Sequence, residues 1–234
     1  MRFEFFHYSE TGPRPENQDS FEVKNYNDIF VACVADGVGG ENFGKLASSL
    51  SVEKFIKKVT NSKCDLNNIL LSIHNGLQEK QNSDVIYKGM ATTFTGCVIE
   101  DNILTGVHCG DSRLCILRRN GIQQLSENHT EVNRLLKSGK IRREDIEDYP
   151  RKHVLDSAIG IRGIPKIQKI KFKVNSRDRI LITSDGVHDV ISKVEFRDLS
   201  LKSVSINDFG RNVIETLKSK KITDNTTFII AEII

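Results

Sequence analysis

Five aspartates in this chain fall at the ends of segments that read as strands. Asp36 closes the apolar run 29–35 and opens Gly37-Val38-Gly39-Gly40. Asp185 closes the run 180–184, is followed by Gly186, and has Asp189 four residues on. Asp111 follows Gly110 after the run 103–108, Asp224 precedes Asn225 and the closing strand, and Asp19 lies between Asn17-Gln18 and a short strand. A lone Asp-Gly after a strand is an ordinary turn. Carboxylates that converge, however, repel and raise one another's pKa, so a cluster of them exists to hold cations. His108 and Cys109 lie just upstream of Asp111 and His188 precedes Asp189, but no recurring His or Cys accompanies the five positions at ligand spacing. Oxygen-only donors select hard octahedral ions, Mg²⁺ or Mn²⁺, over zinc. A glycine beside such a carboxylate lets the backbone approach the ion and lends it a carbonyl.

The elements that must carry these residues follow from periodicity. Residues 3–8 and 29–35 read as strands, the second nearly continuous in apolar residues. Leu46, Leu50, Val52, Phe55, Ile56 and Val59 predict one helix, with Lys54, Lys57 and Lys58 in water. Leu66, Ile69, Leu70, Ile73 and Leu77 predict a second with the spacing of an amphipathic helix. A strand meander is expected next, 92–99 and 103–108 around Glu100-Asp101-Asn102, then Arg113 to Arg118 and 122–125 around Asn120-Gly121, a strong hairpin signal. Residues 128–160 are polar, mixed in charge and expected to be helical. Strands resume at 166–174, where Lys169, Lys171 and Lys173 alternate with Ile170, Phe172 and Val174 as on a solvated edge, and at Arg179 to Thr183. A helix around Phe209, Val213, Ile214 and Leu217 precedes a last strand at 227–234. Consecutive hairpins imply antiparallel sheets with helices outside, an α+β fold.

Composition narrows the classes. The chain has 234 residues, 38% hydrophobic and 28% charged, which suits one folded domain spanning 1–234 and not a disordered chain. Its 34 basic and 31 acidic residues leave a net charge of +3, too balanced for a general nucleic-acid or membrane-surface binder. The longest apolar run is far short of the ~18 residues of a membrane span, and the first residues carry no secretory h-region. Cys33, Cys64, Cys97, Cys109 and Cys115 form no C-x-x-C pair and read as reduced thiols of a cytoplasmic protein.

Six segments in order carry a resemblance. They are Arg14-Pro-Glu-Asn-Gln-Asp19, Val34-Ala-Asp-Gly-Val-Gly-Gly40, Gly89-Met-Ala-Thr-Thr93, Gly110-Asp-Ser-Arg113, Thr183-Ser-Asp-Gly-Val-His-Asp189 and Asp224-Asn-Thr-Thr227. Together the set resembles the motifs of metal-dependent serine/threonine protein phosphatases of type 2C, and the insert, with a flap at about 127–160, resembles the bacterial-type members. The resemblance implies a four-layer α-β-β-α sandwich with Asp36 bridging two Mg²⁺ or Mn²⁺ ions. The Gly37 carbonyl would bind one ion and Asp185 and Asp224 the other, while Asp19 would hold water and Asp111 and Asp189 a third, looser ion. Arg14 would clamp the phosphate, its planar fork suiting two oxygens. The implied reaction is in-line attack on phosphoserine or phosphothreonine by a hydroxide bridging two ions, with Asp36, Asp185 and Arg14 as catalytic residues. Phosphorylated proteins would be the substrates, a serine/threonine kinase the opposing enzyme, and a monomer the working form, with no nucleic-acid or membrane partner. The chain departs from many eukaryotic relatives at Val38, where they carry a histidine acid, and at Gln18, where they carry glutamate.

Other readings are weaker. Gly39-x-x-x-x-Gly44-Lys45 mimics a nucleotide-binding P-loop, but Leu46 stands where the Mg²⁺-binding Ser or Thr belongs. No Cys is followed by Arg six positions on, as a cysteine phosphatase needs, and no G-x-S-x-G elbow marks a serine hydrolase. A non-catalytic binding module would have lost metal ligands, which are all present here.

Overall fold

Hairpins and apolar runs place the aspartates at one end of two stacked sheets. The computed structural model describes residues 1–26, 28–38, 43–61, 63–146 and 148–234; Gly39 and Gly40 of the Asp36 motif lie outside the described residues, as does Glu147 of the flap. Strands β1 (Phe3–Glu10), β2 (Asp19–Tyr26) and β3 (Ile29–Val38) come first, then helices α1 (Gly44–Lys58) and α2 (Leu66–Ser83). A run of strands follows: β4 (Ala91–Thr92), β5 (Phe94–Glu100), β6 (Ile103–Cys109), β7 (Arg113–Arg118) and β8 (Gly121–Gln124). After α3 (Glu131–Lys137) in the insert come β9 (Gln168–Lys173), β10 (Arg179–Thr183), the single turn α4 (Asp185–His188), α5 (Lys193–Lys202), α6 (Ile206–Lys218) and β11 (Thr226–Ile233). One antiparallel sheet runs β1-β11-β10-β7-β8; the other runs β2-β3-β5-β6-β9, with β4 paired to β3.

Three apolar layers hold these parts together. Phe30, Ile99, Leu104, Ile182 and Ile229 fill the space between the sheets. Phe55, Leu70, Ile73 and Leu77 seat α1 and α2 on the outer face of the second sheet. Phe196, Phe209 and Val213 seat α5 and α6 on the first, against Leu181, Phe228 and Ile230. The result is the α-β-β-α sandwich that the sequence implied.

Several local expectations are corrected. The expected meander is two hairpins on different sheets: β5 pairs with β6 in the second, β7 with β8 in the first, and the chain crosses between them at Gly110-Asp111-Ser112. Asn120-Gly121 does not form the tip of its hairpin. Arg118 pairs with Gly121, so the two turn residues are Arg119, at φ 54°, and Asn120. The turn expected over Glu100-Asp101-Asn102 is shorter: Glu100 pairs with Ile103, and Asp101 and Asn102, at φ 51° and 61°, form a left-handed two-residue turn. The buried face of α1 is small and partly polar, Ala47, Ser48, Ser51, Val52 and Phe55, while Leu46 and Leu50 are half-buried. Small residues let that helix lie close to β2, where Ser48 Oγ donates to the Gln18 carbonyl at 2.6 Å. The insert is mostly irregular, with only α3 as an α-helix among its described residues, because its charges are spent on pairs such as Arg151–Glu131 and Arg134–Asp156 that span loops. Helix α5 was not expected. It buries little beyond Phe196, and its signal is the Ser192/Glu195 capping box. β9 is an edge strand with its three lysines exposed, as read from the sequence.

Phe55 and Phe94 meet at a centroid distance of 4.9 Å with both rings fully buried. Phe94→Ala should therefore cost about 3–5 kcal/mol of stability, while Lys171→Ala on the exposed edge should stay within about 0.5 kcal/mol. Urea unfolding of the two variants beside the wild type measures both.

Candidate functional site

The antiparallel registers bring the carboxylates together. In the second sheet Asp19 of β2 stands directly opposite Asp36 of β3. In the first sheet β10 and β11 are neighbours; Asp185 lies just past the end of β10, and Asp224 lies just before the start of β11. Asp111 occupies the crossing between the sheets, entered through Gly110 at φ 114°, a conformation side chains rarely adopt.

Hydroxyls and one amide fix this geometry. Thr93 interrupts the strand expected over 92–99, and its Oγ1 accepts from the Asp36 amide at 3.0 Å while its own amide donates to the Asp36 carbonyl at 2.8 Å. The same Oγ1 lies 2.8 Å from Ser112 Oγ, beside Asp111. Ser184 Oγ donates to Asp19 Oδ2 at 2.8 Å and accepts from the Thr227 amide at 3.0 Å, tying the two sheets at the level of the site. Asn225 accepts from the Gln18 amide at 2.9 Å and donates to the carbonyls of Thr11 and Glu16, which latches the loop carrying Arg14 onto the start of β11. Gly37 and Gly186 are required by closeness. A Cβ on Gly37 would sit 2.4 Å from Gly44 backbone, and one on Gly186 would sit 2.0 Å from the Asn225 carbonyl.

A cavity of about 750 Å³ opens here, lined by Arg14, Asp36, Gly37, Asp111, Asp185 and Asp224, with Val38, His153 and Leu155 in its walls. Asp19 is buried alongside, and its Oδ1 has no hydrogen-bond partner among the described residues. Burial, then the charges of Asp19, Asp185 and Asp111, holds the Asp36 carboxyl well above the usual range. Burial and the charges of Asp185 and Asp189 push Asp111 up to about 8. Asp19 rises to about 6, chiefly through burial, against hydrogen bonds that favour its charged form. Asp185 is raised by burial and by Asp224 and Asp189. Among the described residues no Lys or Arg nitrogen bonds Asp36, Asp111 or Asp185. This is an oxygen donor set whose negative charge calls for cations, and an orphaned buried carboxylate oxygen fits it too. Both observations suit Mg²⁺ or Mn²⁺.

Two sequence-derived candidates meet each other. Arg14 grips Asp224 in a fork, Nε to Oδ1 at 3.0 Å and Nη2 to Oδ2 at 2.7 Å. Asp189 is exposed at the rim, where His153 Nδ1 lies 3.4 Å from its Oδ2. The P-loop alternative loses its lysine. Lys45 Nζ is bonded to the Asp19 carbonyl at 2.7 Å and to Ser20 Oγ, and Gly39 lies outside the described residues. Thr93, Ser184 and Asn225 stood inside the quoted motifs without an assigned task. His153 had no motif around it, and only the folded chain brings it to the cavity.

Comparison with known proteins agrees with this geometry. A family profile described as protein phosphatase 2C matches residues 14–226. The chain is 29% identical to the serine/threonine phosphatase stp of Listeria welshimeri over 231 residues, 94% of this chain and 91% of that protein. In fold it is similar to the serine/threonine phosphatase Stp1 from Staphylococcus aureus, with a TM-score of 0.92 at 24% identity over 100% of this chain and 96% of that one. It is also similar to the catalytic domain of the phosphatase PstP solved in complex with 2 manganese ions, with a TM-score of 0.83 at 24% identity over 98% and 97% of the two chains.

The raised carboxyls give a signed pH dependence. Because Asp111 is lifted from 3.8 to about 8, and Asp36 is raised in the same direction, their contribution to the stability of the metal-free protein is present at low pH and is lost as pH rises. The buried neutral histidines His108 and His129, depressed to about 3 and 4, act in the opposite sense, and only below their ordinary 6.5. In chelator the thermal midpoint should therefore fall between pH 6.5 and 8. Saturating Mn²⁺ should remove the fall, since the ions displace those protons, and Asp111→Asn should make it shallower in chelator, the other raised carboxyls keeping the rest. A flat midpoint for the wild type in chelator would contradict the uncompensated charge.

Proposed function

The chain belongs to the protein phosphatase 2C family, and from that premise we propose that it hydrolyses phosphoserine and phosphothreonine esters of proteins with the residues gathered at this cavity. Its class is that of a Mg²⁺- or Mn²⁺-dependent serine/threonine phosphoprotein phosphatase, and phosphorylated proteins are its substrates. The observation that carries the residue assignment is the convergence of Asp36, Asp111, Asp185 and Asp224 beside a guanidinium in one cavity.

Asp36, the Gly37 carbonyl, Asp185 and Asp224 would hold two ions, with Asp19 behind them and Asp111 and Asp189 toward the rim. Ions bound there lower the pKa of water and neutralise charge on the phosphoryl group. The protein supplies the rest. Thr93 fixes the backbone of Asp36 from both its amide and its carbonyl, and Ser184 orients Asp19. Arg14 presents two parallel N–H donors, now on the Asp224 carboxylate, in the geometry that matches two oxygens of a phosphate monoester. With Asp224 serving as a metal ligand, the Arg14 fork would be left to the substrate phosphate, so Arg14 and Asp224 would act as a pair. Val38 lines the cavity and carries no transferable proton, so it takes no part in protonating the leaving alkoxide.

The finer assignments rest on smaller observations. A single catalytic domain, acting as a monomer against a serine/threonine kinase, is in keeping with a sandwich whose apolar layers are all internal. A cytoplasmic setting is in keeping with five free cysteines. No helix among the described residues is long and apolar enough to cross a membrane.

Hydrolysis of a phosphothreonine peptide should require Mn²⁺ or Mg²⁺ and stop in excess chelator. Asp36→Asn should abolish turnover while the protein stays folded. Arg14→Ala should lower kcat/KM about 10²-fold, as loss of a charged partner of the transition state does. Retained activity in Asp36→Asn, or unchanged kinetics in Arg14→Ala, would remove that residue from the site.

A further inference from the structure

The flap carries a side chain that the aspartate pattern does not include. His153 reaches the cavity wall, and one ligand atom from each of His153, Asp185 and Asp189 can be chosen so that all lie within 4.8 Å of one another. Asp185 and Asp189 come from one helical turn, where the Asp189 amide donates to the Asp185 carbonyl at 2.9 Å. His153 comes from a distant part of the chain, and its approach is braced on both sides. Arg151 forks onto Glu131 with contacts of 2.9 to 3.2 Å, and Tyr149 Oη donates to the same carboxylate at 2.5 Å. On the other side the Glu131 amide donates to the Val154 carbonyl at 2.9 Å, and Thr130 bridges Leu155. A second observation points into the same space. Asp111 is buried to 7% exposure and lines the cavity, yet its carboxyl meets no hydrogen-bonding side chain among the described residues.

We propose that His153 is a metal ligand, completing with Asp185 and Asp189 a mixed nitrogen–oxygen site that takes a first-row transition ion such as Mn²⁺ or Co²⁺ in preference to Mg²⁺ and fastens the flap to the cavity floor. The proposal rests on the metal-dependent reading above. Its chemistry differs from that of the carboxylate core. An imidazole nitrogen strengthens binding of Mn²⁺ through Zn²⁺, whereas Mg²⁺ favours an all-oxygen octahedron and keeps its waters. Asp185 has two oxygens and belongs to both sets, so the rim ion and the core are linked through one side chain. The core then accepts either metal, while the position of the flap depends on which metal is present.

The test uses the intact chain loaded with Mn²⁺, read by electron spin-echo modulation, which detects a nitrogen bound to the ion. The wild type should show ¹⁴N modulation, and His153→Gln should lose it. Calorimetric titration should show that His153→Gln loses one class of Mn²⁺ sites and keeps its Mg²⁺ isotherm. Mn²⁺, and not Mg²⁺, should protect the 150–156 segment of the wild type from proteolysis, and that protection should vanish in the variant. His153 is exposed, so folding of the variant is not at stake, and its thermal midpoint in chelator checks this. Mn²⁺ binding without nitrogen modulation, or modulation that survives in His153→Gln, overturns the proposal and shows His153 to be only an ion-pair partner of Asp189. Failure of the wild type to bind Mn²⁺ at all overturns the metal-dependent reading as well.

Discussion

Mutual repulsion among carboxylates is the constraint on which the rest of this structure depends. Asp36, Asp111 and Asp185 share a cavity with one another and, with their pKa values raised, hold their charge there at a cost. Left to itself such a cluster would splay apart or take up protons. The fold prevents the first by spending strong local bonds on the backbone that carries it. Thr93 interrupts a strand in order to bond Asp36 at both its amide and its carbonyl, Ser184 ties one sheet to the other through Asp19, and Asn225 holds the Arg14 loop with three backbone contacts. Bound cations would deal with the second, and the negative field kept in place is what would attract them.

Much of this was legible in the sequence because the aspartates sit at strand ends, and strand ends in an antiparallel sandwich fall on common edges. The apolar runs around Val31 and Ile182 named their strands, and the motif order named the architecture. Pairing between strands was not legible. Nothing in the residues of 103–125 says that the chain leaves one sheet for the other at Asp111, since a hairpin pattern is local and sheet membership is not. The Asn120-Gly121 step misled for a related reason: register set by Arg118 and Gly121 moved the turn one residue back, onto Arg119.

The site showed the same division. Residues whose chemistry is intrinsic, the carboxylates and Arg14, declared themselves. Residues whose importance is relational did not. Ser48, Thr93, Ser184 and Asn225 are ordinary polar side chains until the fold gives them a particular carbonyl or amide to hold. His153 lies in an irregular segment where periodicity carries no information, and its place at the rim depends on the Glu131 brace, a contact across 20 residues of loop. The flap was expected to be helical from its polarity, but opposite charges far apart in sequence favour loop-spanning pairs over a longer helix.

The position of β11 has a consequence for how the protein is made. It comes after all the other described strands in sequence, yet it lies inside its sheet, between β1 and β10. Asp224 and Asn225 immediately precede it, so one carboxylate of the cavity and the latch on the Arg14 loop both wait for its arrival. During synthesis the growing chain therefore exposes the flanks of β1 and β10 to each other and to neighbours, with a sheet missing an inner member. A chain that stops before Asp224 has the other aspartates but neither that carboxylate nor the Asn225 latch. The first sheet, and with it the full carboxylate cluster, is therefore complete only once β11 has been made.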